Sequence, residues 1–116
     1  EKDELESAKT KLQNIMETEK PYLDSQLTLK ELSKKLGVNT TVLSHTINKG
    51  FGKNFNDFVN EFRIAEIKEK LNTADNLTVL GIAYDCGFNS KATFNRAFKK
   101  FTGVSPKEFQ EKQNNR

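Results

Sequence analysis

The chain has 116 residues and a mass of 13.2 kDa, room for one compact domain with a modest core and too little for a large enzyme. Its formal charge is only +3, no apolar run approaches the ~20 residues of a membrane span, and no stretch of it is expected to serve as a signal peptide. The lone cysteine, Cys86, excludes an intrachain disulfide and a multi-cysteine metal site, and it suits a reducing cytosol.

Taken in chain order, residues 1–20 open on the charged run EKDELESAK and read as a helix or linker from an upstream region of a longer protein. Leu5, Ala8, Leu12, Ile15 and Met16 form its apolar stripe, a docking face for an upstream domain or a second copy, and Pro21 marks its end. Residues 21–113 repeat themselves. A shift of fifty positions aligns Thr28 with Thr78, Leu29 with Val79, Leu32 with Ile82, Ser33 with Ala83, Leu36 with Cys86 and Gly37 with Gly87. Beyond Asn39 the shift becomes fifty-one, pairing Leu43 with Phe94, Ile47 with Phe98 and Gly52 with Gly103, so the second copy carries one extra residue in its turn.

Apolar residues recur at three- and four-residue intervals, which predicts helices throughout. In each copy, about 28–50 and 78–101, a threonine caps a short helix whose buried stripe ends at Gly37 or Gly87. A second helix, capped at Asn39/Thr40 or at Ser90, turns Leu43 and Ile47 or Phe94 and Phe98 inward. The small Ser33 or Ala83, four residues before the glycine, allows the two helices to cross closely, the grammar of a helix-turn-helix. About 54–72 reads as a connecting helix with Phe55, Phe58, Val59, Phe62 and Leu71 on one side. Ser105-Pro106 starts a final helix carrying Phe109, and residues from Gln113, with 114–116 as the tail proper, are expected to fray. Nine phenylalanines at helical spacing are expected mostly in the core rather than stacked on single-stranded nucleic acid.

The run GIAYDCGFNSKATFNRAFKKFTGVSPKEF, with Ile82, Ala83, Gly87, Phe88, Phe94, Arg96, Phe98, Lys99, Gly103, Ser105 and Pro106, resembles the signature of the AraC/XylS family of transcription regulators. A looser match through Leu32, Gly37, Leu43, Ser44, Gly52, Phe55 and Arg63 extends it to roughly Pro21–Gln113. The resemblance implies an all-α fold of about seven helices: two homeodomain-like helix-turn-helix units on a long connecting helix, with an extra N-terminal helix. It implies a cytoplasmic, sequence-specific binder of double-stranded DNA, the output domain of a bacterial regulator, with no cofactor. RNA polymerase, an upstream sensory or regulatory domain and a second copy are further expected partners, and no membrane contact is expected of this segment. The stretch EKPYLDSQLTLKEL is similar to members from the Bacteroidetes lineage that carry the domain behind a sensory, often membrane-attached region. The family commonly has a basic residue where His45 stands, a small one at Ile67 and often arginine at Gln110.

Two windows lack acids: Lys34, Lys35, Lys49 and Lys53 lie between Glu31 and Asp57, and Lys91, Arg96, Lys99, Lys100 and Lys107 between Asp85 and Glu108. The outward face of the second recognition helix carries Lys91, Ala92, Asn95 and Arg96. Arginine can donate two bonds to guanine, asparagine can pair with adenine, and alanine can meet a thymine methyl. Thr41, Ser44, His45 and Asn48 are the first unit's base-contact candidates, shorter and mostly neutral. Thr40, Lys49, Ser90, Lys99 and Lys100 are assigned to phosphates, through ammonium groups or the N–H groups that open the helices. Arg63 is expected to tie helices together, Asp85 to pair with Arg63 or with a backbone group, and Cys86 to be a buried, inert thiol. No catalytic constellation, metal cluster or phosphate loop stands out, so an enzyme is not expected; the competing function is a helical interaction module for an acidic partner.

Overall fold

The computed structural model describes residues 2–73 and 78–114. Its regular elements are all helical: α1 (Lys2–Glu19), α2 (Leu29–Leu36), α3 (Thr40–His45), α4 (Phe55–Thr73), α5 (Val79–Asp85), α6 (Lys91–Thr102) and α7 (Pro106–Asn114). A 3₁₀ turn, Pro21–Leu23, follows α1, and a π turn, Thr46–Gly50, continues α3. The end of α7 is helical at Gln113 and Asn114, where fraying was expected; residues 115 and 116 lie outside the described residues.

Local chemistry accounts for the boundaries. The Thr28 hydroxyl accepts from the Glu31 N–H at 3.1 Å while the Glu31 carboxylate accepts from the Thr28 N–H at 3.2 Å, a reciprocal cap on α2. Thr78 caps α5 by accepting from the Gly81 N–H at 3.0 Å. At the far end of α2, Gly37 adopts φ 77° and the next N–H, of Val38, returns to the Ser33 carbonyl at 3.1 Å. Phe88 makes the same return to Ala83, also at 3.1 Å, so the two turns close alike despite the extra residue in the second.

Two cores result. Leu12, Ile15 and Met16 of α1 are buried with Tyr22, Leu32, Leu36, Leu43, Ile47, Phe58 and Val59. The second core holds Ile64, Ile67, Ile82, Ala83, Cys86, Phe88, Phe94, Ala97 and Phe98. The apolar residues of α4 were expected on one side, and the structure corrects this. Phe55, Phe58, Val59 and Phe62 serve the first core, whereas Ile64, Ile67 and Leu71 serve the second. Each helical residue turns about 100°, so Phe62 and Ile64, two residues apart, point to nearly opposite sides. One helix is thus shared by two units in a molecule measuring 49 × 24 × 23 Å. Phe58, Phe88, Phe94 and Phe98 are buried, and the other phenylalanines are half-buried against the same cores.

The first recognition helix also departs from a single α-helix. After His45 the backbone widens into the π turn, where the Thr46 hydroxyl donates back to the Val42 carbonyl at 2.8 Å. Such back-bonding competes with the regular ladder and bends helices. At Gly50 the chain of α1 comes so close that a Cβ would stand 2.6 Å from Lys9 Cγ.

Candidate nucleic-acid interface

The second recognition helix, α6, is positioned by its cap and its aromatic face. Ser90 Oγ accepts from the Thr93 N–H at 3.3 Å, and Phe94 and Phe98 sit edge to face at 5.7 Å in the core. With Phe94, Ala97 and Phe98 inward, helical geometry turns Lys91, Ala92, Asn95, Arg96, Lys99 and Lys100 to the surface, and all six are exposed. Arg96 takes part in no recorded salt bridge among the described residues; its side-chain contact is a long one, 3.5 Å from Nη2 to Thr93 Oγ1. Its fork is therefore available to an external acceptor. Lys100 differs, because Asp57 in the first turn of α4 holds its ammonium at 2.7 Å.

The first recognition helix is capped by Asn39, whose side chain accepts from the Val42 N–H at 2.8 Å. Leu43, Thr46 and Ile47 are buried, leaving Thr40, Thr41, His45, Asn48 and Lys49 exposed and Ser44 half-buried. Val42, 42% exposed, lies on the flank nearest α1. There a groove places Glu4, Leu5 and Ala8 opposite Thr41, Val42, His45 and Lys49.

Tertiary structure redistributes the charge read from the acid-free windows. In the first window Glu19 of α1 reaches Lys35 at 3.5 Å, and Glu61 of α4 pairs with Lys53. In the second, Lys91, Arg96, Lys99 and Lys107 have no recorded ion pair among the described residues. Lys107, which sequence reasoning placed in the window but not in the site, lines one groove with Lys91, Asn95 and Lys99. Its only advance signal was its place at the end of the acid-free window, next to Glu108. Beside it, the Ser105 N–H and hydroxyl hold the Glu108 carboxyl below its ordinary range, the N–H donating to the carboxylate at 3.0 Å, while the Glu108 backbone N–H donates in return to the Ser105 hydroxyl at 3.1 Å.

Arg63 ties elements together as expected, although not through Asp85, which is exposed. Its Nε donates to the Tyr22 carbonyl at 2.7 Å, Nη2 to the Asp24 carbonyl at 3.0 Å and Nη1 to Asn60 Oδ1 at 3.1 Å. Cys86 is fully buried, and burial pushes its thiol up to about 11.

Two exposed helices, each the second of a capped, glycine-turned pair, are joined here by one long helix, and the family profile described as a helix-turn-helix domain matches residues 32–112. The chain belongs to the AraC-type helix-turn-helix family. An HTH-type transcriptional regulator of Staphylococcus aureus (strain COL) is 36% identical over 88 residues, which is 76% of this chain and 12% of the relative. The C-terminal domain of the two-component response regulator yesN from Fusobacterium nucleatum has 36% identity and a TM-score of 0.73, covering 90% of this chain and 98% of that one. The C-terminal domain of AraT, a response regulator from Geobacillus stearothermophilus, has 28% identity and a TM-score of 0.72, covering 93% and 84%. This AraC-type domain thus spans about an eighth of the curated relative it matches. It is a DNA-binding regulatory domain and not an enzyme, and the reading as a module for an acidic partner is not favoured.

Proposed function

We propose that this AraC-type domain reads double-stranded DNA with two recognition helices set in successive major grooves, as the output end of a longer bacterial transcription regulator. The observation that carries the reading is the pair of exposed polar faces on α3 and α6, each fixed by an N-cap and a buried stripe and both borne by α4. Asn95 and Arg96 are the principal base readers, with Lys91 and Ala92 beside them. Thr41, Ser44, His45 and Asn48 contact bases less strongly, and Thr40, Lys49, Ser90, Lys99 and Lys100 face phosphates. For Lys100 this requires exchange of Asp57 for a phosphate.

Residues 21–113 form the reading domain, preceded by the helix over 1–20 that leads from a sensory or regulatory region. RNA polymerase and a second copy are its other proposed partners, and work on chromosomal DNA sets its place in the cytoplasm. Selection from random duplex DNA, followed by titration of the selected and scrambled duplexes across salt, tests this function. Specific binding with a steep loss of affinity as salt rises is expected. Equal binding to scrambled DNA and to an acidic polypeptide would return the domain to the class of interaction modules.

A further inference from the structure

A single helix fixes how far apart two units stand but leaves them free to swing about it. In this molecule a second connection lies off the axis of α4. The segment after α1 crosses α4 and touches both cores: Tyr22 is buried in the first, and Leu23 packs against the first and the second. The Tyr22 carbonyl receives Arg63 Nε at 2.7 Å, and the Arg63 guanidinium also lies 5.7 Å from the ring centre of Phe88, in the second unit's turn. Gly87 of that turn, at φ 106°, sits so close that a Cβ would overlap the Tyr22 carbonyl oxygen and stand 2.6 Å from Arg63 Nε. On the other side, Glu66 of α4 accepts from Lys20 Nζ at 3.1 Å and from the Tyr22 hydroxyl at 3.2 Å. Lys20 itself holds a left-handed backbone, φ 49°, a conformation costly for a residue with a side chain.

We infer that Arg63, seated between the Tyr22 carbonyl and the Gly87 turn, is a positioning residue that locks the angle between the two helix-turn-helix units and so sets the half-site spacing the domain accepts. Arg63 acts through the turn that precedes α6. The same contacts couple α1 to the second unit, so a displacement of α1 is felt at both recognition helices. The DNA consequence rests on the proposed function, whereas the locked angle does not.

Two linked measurements test the inference. Spin labels on Lys34→Cys and Lys112→Cys, exposed positions in the first and second units, report the inter-unit distance, and the buried Cys86 stays unlabelled. The parent protein is expected to give one narrow distance distribution and Arg63→Met a broad one, with Arg63→Lys, which keeps a donor for Tyr22, between them. The same proteins are then titrated against the selected duplex with one, two or five base pairs inserted between its half-sites, five being about half a helical turn. Simultaneous engagement contributes about 10²–10⁴ in affinity and is lost when geometry forbids it. The parent is thus expected to lose at least about a hundredfold on a two-base-pair insertion and Arg63→Met less than about tenfold. Should Arg63→Met fail to fold, Arg63→Lys and Glu66→Gln carry both comparisons. Unchanged distance widths together with an unchanged spacer profile would overturn the inference. A parent protein without sequence preference would instead sink the proposed function and leave the distance measurement to decide the lock.

Discussion

Arg96 and His45 stand at corresponding depths in the two reading surfaces, yet their chemistry differs. An exposed guanidinium without a salt bridge among the described residues can donate two bonds to one guanine, a contact worth about 1–3 kcal/mol of discrimination. Arg96→Ala is accordingly expected to weaken specific binding by about 1–3 kcal/mol and to relax preference at one base pair. His45→Ala should cost less, and Lys99→Ala should weaken all sequences evenly and flatten the salt dependence, as when one phosphate contact is lost. Titrations of the three variants against matched and scrambled duplexes check the order; a silent Arg96→Ala beside a damaging His45→Ala reverses it. Gly87 is a different kind of residue. Its positive φ and the Tyr22 carbonyl facing it leave no room for a side chain. Gly87→Val is expected to destabilise the fold by at least about 2 kcal/mol, through backbone strain and forced contact. Thermal unfolding measures this, and an unchanged melting temperature with DNA binding lost would make Gly87 a contact instead. Cys86 yields a pH effect. Its folded thiol titrates near 11, above its ordinary 9.0, because it is buried. As pH rises from about 9 toward 11 the unfolded chain releases this proton and the folded one does not, so this contribution to stability is present below about 9 and is lost across the window. Urea melts at pH 8 and 10.5 should show a smaller difference for Cys86→Ala than for the parent.

Among the elements, α1 has a role that its charged sequence understates. Leu12 and Met16 are fully buried against α2 and the first recognition helix, and Lys9 lies 5.4 Å from the ring centre of Phe51. Leu12→Ala removes most of a buried leucine and is expected to cost about 2–5 kcal/mol, measured by chemical denaturation. The loss should be accompanied by weaker protection from hydrogen exchange in α2 and α3 than in α5 and α6, because the cavity opens in the first core. Uniform loss of protection across both units would mean that they unfold as one. The π turn belongs to this scale as well. Thr46 back-bonding and the close approach of Lys9 to Gly50 distinguish α3 from the regular α6, although their residues align one for one from Leu43 to Gly52.

Across the whole molecule, two units on one shared helix imply one face of DNA. Major-groove repeats lie ~34 Å apart, about 10 base pairs, and α4 with 19 residues is about 28 Å long. Footprinting of a selected site is expected to protect two groove segments about one turn apart on the same face. Protection of a single short segment would exclude simultaneous docking while leaving the fold untouched. Helix boundaries, the repeat, the one-residue insertion and the inward phenylalanines were legible in the chain because they depend on capping groups and helical period, interactions among residues three to five apart. The same period identified the exposed faces of α3 and α6. The splitting of α4 between two cores, the pairing of Lys35, Lys53 and Lys100 with Glu19, Glu61 and Asp57, and the partners of Arg63 were decided only by the tertiary fold. Those contacts join different elements, in the case of Lys100 and Arg63 about forty residues apart, and a charge or an apolar side chain carries no local mark of the neighbour that folding will bring to it.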